Sequence, residues 1–408
     1  MNAYRHVLAQ RGVPGLFTAL VTARLSTSVL SLSLLLAVRE ATGSYATASL
    51  ALAGHGLSLA FLAPVLGRLC DRSRPGRVLL GALAAQALAY AGLITALSAH
   101  APAAALIATT MLVGAFTPPG SAVARGTWPR LVPAERLPTA YALDAVSNEA
   151  TFISGPLVVA AITAFSSPVH LIAAGAVATA LGTVALALHP AVRHAPAGTA
   201  PDTCPRGLEQ RLGPLAVPRV RHLLLIASAG TFCYGLMQVG AAAGATAWGA
   251  TSSVGLIVSA LSAGGVVGGL IYGGRRWPGD HRGHLTALYA ASGAALFTAG
   301  AAPNLLALGV VYAVVGLICG GRDTVEQLLL GEAGPEHQRT EVFAWLGTFM
   351  WGGYSLGTAS AGQLIPRFGT VTAYTTGGVV LLTAALAATS LRAVKATAVP
   401  AAGADLRG

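Results

Sequence analysis

Residues 144 to 158 read DAVSNEATFISGPLV and set Asp144, Asn148 and Glu149 inside what is otherwise one long apolar helix. A carboxylate in such a place can hold and release a proton, pair with a guanidinium or coordinate a cargo, and without such a use its burial costs several kcal/mol. Counted from a helix start near residue 138, Glu149 lies about 16 Å deep at roughly 1.5 Å per residue. Arg24, eleven residues into the first apolar run, has the same depth. The matched depths predict a Glu149 to Arg24 pair, with Asp144 nearer the mouth and hydrogen-bonded through Asn148 on the same i,i+4 face. Competition between proton and cargo for Glu149 or Asp144, modulated by Arg24, would couple transport to a proton gradient. A purely structural salt bridge is the alternative for the same residues.

The elements that carry these groups follow from composition. Of 408 residues 54% are hydrophobic and only 10% are charged, with 50 glycines; a soluble protein carries roughly 25% charged residues. The mean hydropathy of +0.67 and the Ala and Gly runs suit closely packed membrane helices. Reading for stretches of about 20 apolar residues gives twelve candidates: 13–38, 44–66, 77–98, 103–124, 138–165, 168–189, 219–245, 248–273, 284–302, 304–325, 338–363 and 369–391. The first is too long for a signal peptide, and eleven more follow it.

Basic residues set the topology. With the N-terminus inside, nearly all of the 25 Lys and Arg fall in alternate, cytoplasmic loops, leaving Arg39 and Arg367 outside and Arg24 and Arg322 within helices. Both termini are therefore expected to be cytoplasmic, in the inner (plasma) membrane. The net charge of +11 is spread along the chain in no basic patch or stripe, so no nucleic-acid partner is expected. The four cysteines form no metal-ligand or disulfide spacing. No P-loop, hydrolase triad or metal cluster is present, so neither an enzyme nor an ATP-driven pump is expected, and no cofactor.

The Pro-rich stretch 190–218 splits the chain into residues 1–189 and 219–408. A shift of 202 residues lays Gly67 on Gly269, Pro133 on Pro335 and Gly155 on Gly357. This predicts an all-α membrane fold of twelve helices in two pseudo-symmetric six-helix bundles joined by a cytoplasmic linker, a plan shared by many secondary transporters.

The loop GRLCDRSRPGR, Gly67 to Arg77, resembles the signature loop G-x-L-a-D-R-x-G-R of the major facilitator superfamily through Gly67, Leu69, Asp71 and Arg72, with the second glycine displaced by Arg74 and Pro75. In the second half, GGLIYGGRRWPG keeps Gly269, Arg275 and Arg276 but has Gly273 where Asp71 maps. The segment from Pro118 to Pro156 is similar to the fourth and fifth spans of bacterial twelve-helix exporters, and Gly155 and Pro156 to the Gly-Pro of the fifth-helix antiporter motif. The resemblance implies a gate braced by Gly67, Asp71, Arg72 and Arg77. It also implies export of small amphipathic compounds such as drugs, antibiotics or secondary metabolites in exchange for protons, by a monomer contacting lipid, protons and a small-molecule substrate. A metabolite uniporter or importer, and a non-transporting receptor or assembly protein, remain open.

Further candidates lie along the later helices. Arg322 and Asp323 sit near the end of the tenth run with Glu326, the i,i+4 neighbour and possible partner of Arg322. Trp345, Phe349, Trp351 and Tyr354 in the eleventh run, with Phe232, Tyr234 and Gln238 in the seventh, are expected to form an amphipathic wall for an apolar cargo or ordinary helix packing. Glu341 reads as a solvated or capping residue. His55 and Gln86 are ambiguous between cargo contact and packing, and Pro118, Pro119 and Gly120 mark a kink.

Overall fold

A computed structural model describes residues 2–163, 166–194, 212–249 and 253–391. Most of the linker and the C-terminal tail, including Arg206, Arg211, Arg392, Lys395 and Arg407, lie outside these residues. The elements in order are α1 (Asn2–Leu8), α2 (Val13–Thr42), α3 (Tyr45–Arg72), α4 (Pro75–Ser98), α5 (Ala103–Ala115), α6 (Gly120–Leu131), α7 (Leu137–Thr163), α8 (Pro168–Leu188) and α9 (Pro190–Arg193). They are followed by α10 (Pro218–Ala247), α11 (Val254–Gly274), α12 (His281–Ala299), α13 (Leu305–Ala333) and α14 (Arg339–Thr389). Among the described residues the expected apolar runs fall on these helices, the fourth run being divided between α5 and α6. Among the described residues, eight helical segments are long and apolar enough on length and composition to cross a membrane.

Local chemistry sets the ends. Gly43, at φ 67°, closes α2 by returning its N–H to the Arg39 carbonyl, a left-handed cap that glycine adopts at no steric cost. Ser44, Asp280 and Asn304 cap α3, α12 and α13 by accepting the N–H of Thr47, Gly283 and Ala307. The Gly283 N–H, with Arg282, holds the exposed Asp280 carboxyl below the ordinary carboxylate range. Gly369, at φ 79° and ψ 171°, breaks α14 into two limbs, at the place where the last two apolar runs were expected to divide.

The fourth run breaks where only a kink was expected. Pro118 and Pro119 supply no N–H and disfavour helix in the residues before them, so α5 stops at Ala115 and α6 restarts at Gly120. Gln86 holds the break: its Nε2 donates to the Val113 carbonyl at 3.1 Å and to Thr117 Oγ1 at 2.9 Å. That gives Gln86 a structural use. Helix α6 then runs on to Leu131, which turns Arg125 and Arg130 from loop residues into helical ones.

The packing order repeats. In the first half α2 lies against α8 and α3 against α5; in the second, α10 lies against α14 and α11 against α13. The crossing of α11 with α13 uses Gly264 and Gly268 on one helix and Gly316 and Gly320 on the other, each facing the partner's backbone so closely that a Cβ has no room. The halves meet most extensively through α3 with α14 and α7 with α11, and also through α7 with α13 and α6 with α14. The 202-residue register maps the two largest of these contacts onto each other. A Cβ at Gly67 would lie 2.9 Å from the Ala344 Cβ, and one at Gly269 would lie 2.9 Å from Val146 Cγ2.

Candidate transport site

Arg24 pairs with Asp144, not with Glu149. Its Nη2 donates to Asp144 Oδ1 at 2.9 Å, Nη1 to the Asp144 carbonyl at 2.9 Å and Ser147 Oγ at 2.7 Å, and Nε to Ser121 Oγ at 3.1 Å. The other carboxylate oxygen takes Arg125 Nε at 2.8 Å. Asp144 is thus held by two guanidinium groups and not through Asn148, which is half-buried one turn above it. The depth count matched Arg24 to the acid five residues further along α7 and carried no azimuth. Five residues turn a helix by about 500°, so Glu149 points about 140° away from Asp144, and the arginine stem covers the offset in height.

Glu149 instead faces the second half. A Cβ on Gly265 would sit 3.5 Å from Glu149 Cγ, so the glycine keeps α11 close enough for the carboxylate to lie against that helix. There Glu149 is beside Ser262 and within electrostatic reach of Asp323 and Arg322 on α13, with Tyr234 on α10 sharing Ser262. The buried Arg322 donates through Nη2 to Asp323 Oδ1 at 3.2 Å, has its Nε 3.3 Å from Glu326 Oε1, and lies 5.1 Å above the Tyr289 ring. Arg322 and Glu326 therefore lie within i,i+4 reach of each other, beside Asp323 and Tyr289. Gly230 makes room for it, since a Cβ there would stand 2.9 Å from Tyr289 Oη and 3.0 Å from Arg322 Cζ.

The aromatic set assembles in part. Tyr234 meets Tyr354 at 6.1 Å between ring centroids and Tyr354 meets Trp351 at 5.9 Å, making one run from α10 to α14. Trp345 and Phe349 form a separate pair at 6.2 Å. Gln238 is half-buried one turn beyond Tyr234, and Trp351 is 49% exposed. His55 is buried against α5 on the side of Gly114, whose missing Cβ lets the His55 carbonyl approach.

The loop after α3 is engaged with α14. Asp71 accepts the N–H of Thr340 at 3.1 Å and of Glu341 at 2.7 Å, capping from another helix the orphan donors of an N-terminus. Arg68 donates two charge-assisted hydrogen bonds to Glu341 Oε1, at 2.9 Å from Nε and 2.6 Å from Nη2. Glu341 is 1% exposed, so it is an interface ion-pair partner and not a solvated residue. Arg72 and Arg77 are exposed.

Against known proteins, the sequence profile of the Major Facilitator Superfamily matches residues 16–286. The chain belongs to the major facilitator superfamily. Its members are membrane transporters of small molecules, and the chain is a multi-pass membrane transporter of that kind. No curated protein matches its sequence. Among solved structures it resembles the human organic anion transporter MFSD10, at 16% identity and a TM-score of 0.76, over 93% of this chain and 99% of that one. It also resembles a bacterial homologue of the iron transporter ferroportin in an outward-facing state (15%, TM-score 0.73, 93% and 98%) and FucP in the outward conformation (14%, TM-score 0.72, 93% and 99%). These likenesses are of fold.

Within this major facilitator fold, Glu149, Tyr234, Arg322 and Asp323 converge, Asp71 and Gly67 occupy the contact of α3 with α14, and Arg24 joins Asp144 in a separate cluster. Gly155 and Pro156 continue the backbone of α7, while their side-chain surroundings lie outside the described residues. Arg68, Arg125, Tyr289 and Gly230 were not singled out from the sequence. Arg68 and Arg125 were absorbed into the count of cytoplasmic basic residues, and Tyr289 stands alone in its helix. Gly230 carries no signal without the knowledge that α10 passes Arg322. Tyr4 was also missed; its hydroxyl lies 3.0 Å from the Gly269 carbonyl and 2.9 Å from that of Leu270, joining α1 to α11 where Asp71 has no counterpart.

Proposed function

We propose that this transporter exports small amphipathic compounds in exchange for protons, by alternating access between bundles 1–189 and 219–408 joined by the 190–218 linker at the cytoplasmic face. The observation that carries the reading is Glu149, an acid of α7 that crosses to Ser262, Tyr234, Arg322 and Asp323 of the other half. A carboxyl shared between halves senses their separation. When it holds a proton the halves can close around it without a bare charge. When a cargo takes its place among Asn148, Tyr234, Gln238, Phe349 and Trp351, the proton leaves. Asp144 and Arg24 serve this cycle from the side as a fixed cluster that keeps α2, α6 and α7 together, and Arg322 and Asp323 complete the polar floor.

The test uses purified protein in proteoliposomes with an entrapped pH dye and a panel of lipophilic cations and neutral antibiotics. Cargo-evoked proton movement that vanishes in Glu149→Gln is the expected result. Flux of labelled cargo without proton movement, unchanged in the variant, would replace exchange with facilitated diffusion. No flux of any probe would remove transport of this chemical class.

A further inference from the structure

Tyr289 has one hydroxyl hydrogen and two acceptors. Its oxygen lies 2.7 Å from the Ile226 carbonyl of α10 and 2.6 Å from Glu326 Oε1 of α13. Both separations are those of made hydrogen bonds between oxygens, and a backbone carbonyl has no proton to give. If the tyrosine hydrogen goes to Ile226, the second bond is complete only when Glu326 donates to the tyrosine. If it goes to Glu326, two oxygens stand at 2.7 Å with nothing between them. A second observation agrees. Arg322 Nε is buried 3.3 Å from the same Glu326 oxygen and makes no hydrogen bond to it. An ionised carboxylate at that range would draw the guanidinium N–H into line, because charge-assisted bonds of this kind are short and directed.

We infer that Glu326 carries a proton in the conformation described here and is a second proton-bearing carboxyl of the transporter, with Arg322 as its switch partner. On release, the Glu326 O–H bond breaks and the proton passes to water. The carboxylate left behind takes the Nε–H of Arg322, which weakens the hold of Arg322 on Asp323 at 3.2 Å. Asp323 is the charged side chain that acts most strongly on Glu149, so the re-pairing carries the loss of one proton to the acid that crosses between the halves. The ionisable groups facing Glu326 are Arg322, Asp323 and Cys319 on its own helix, Tyr289 on α12, Cys233 on α10 through Arg322, and Glu149 on α7 through Asp323. The place of this step in transport rests on the proton-exchange reading above, whereas the protonation of Glu326 does not.

Infrared difference spectroscopy of the purified full-length protein at neutral pH, in water and deuterium oxide, reads protonated carboxyls directly by their carbonyl stretch. Loss of one component of that band in Glu326→Gln, with the component kept in Glu149→Gln and Asp144→Asn, is the expected result. Tyr289→Phe keeps the ring under Arg322 but removes the acceptor, so the same component should move to higher frequency. A protonated-carboxyl band identical in wild type and Glu326→Gln overturns the inference. Should Glu326→Gln fail to fold, an unmoved band in Tyr289→Phe overturns it equally. Neither result depends on transport, so an inactive proteoliposome preparation bears on the proposed function alone.

Discussion

At Asp144 two guanidinium groups share a carboxylate that has no exposed surface. Removing the charge of one member of such a buried network strands the others, at a cost of about 3–5 kcal/mol. Among the described residues Glu149 has no guanidinium within ion-pair distance, and it lies at the boundary between the halves. Asp144→Asn is therefore expected to lower thermal stability in detergent markedly, while Glu149→Gln leaves it close to wild type and changes flux instead. Thermal unfolding of both purified variants checks this; equal losses would make Glu149 a structural residue. The sequence placed both acids on one helix, α7, because a continuous apolar run fixes the element that carries them. Which acid Arg24 meets depends on azimuth and on how α2 crosses α7, and neither is encoded in the spacing of Asp144 and Glu149.

At the scale of helices, the end of α3 and the start of α14 form one device. Gly67 brings the backbones together, Asp71 caps the first turn of α14, and Arg68 neutralises the buried Glu341. Cys70, fully buried, lines a pocket with Asp71, Arg130, His337, Arg339 and Thr340, so its thiol is covered while this contact holds. In a chain whose other cysteines are replaced, Asp71→Ala removes the cap, a loss of about 1 kcal/mol, or roughly fivefold in a local opening equilibrium. The rate of maleimide labelling at Cys70 should rise by about that factor, and an unchanged rate would show that Arg68 and Glu341 suffice. The loop itself was legible from Gly67, Asp71 and Arg72. Its partner was not, because Glu341 reads as an ordinary first-turn acid until α14 is known to start beneath α3. The break between α5 and α6 was half legible for a similar reason: two prolines announce an interruption, but only Gln86 reaching Val113 shows how a full break is satisfied.

For the whole molecule, the two largest contacts between halves are related by the 202-residue register but are built differently. Asp71, Arg68 and Glu341 hold α3 to α14 with charge, while Gly273 replaces the acid at the other contact, Thr139 Oγ1 donates to its carbonyl at 2.5 Å, and Tyr4 reaches α11 from α1. The repeat was readable from glycine and proline positions, but the substitution of a tyrosine on the N-terminal helix for a missing carboxylate was not, since Tyr4 lies outside the repeat. If each half moves as a rigid body, the contacts must open together, since neither half can tilt away at one and stay seated at the other. A side chain at Gly273 would press on the Ala142 Cβ and lie 2.7 Å from the Tyr4 hydroxyl, prising α11 from α7 without touching α3 or α14. Gly273→Val should therefore increase labelling of Cys70 at the opposite contact, with the Asp71 cap intact in sequence. If the rate stays at the wild-type value while Asp71→Ala raises it, the contact of α3 with α14 opens locally, by bending of single helices and not by rocking of two bodies.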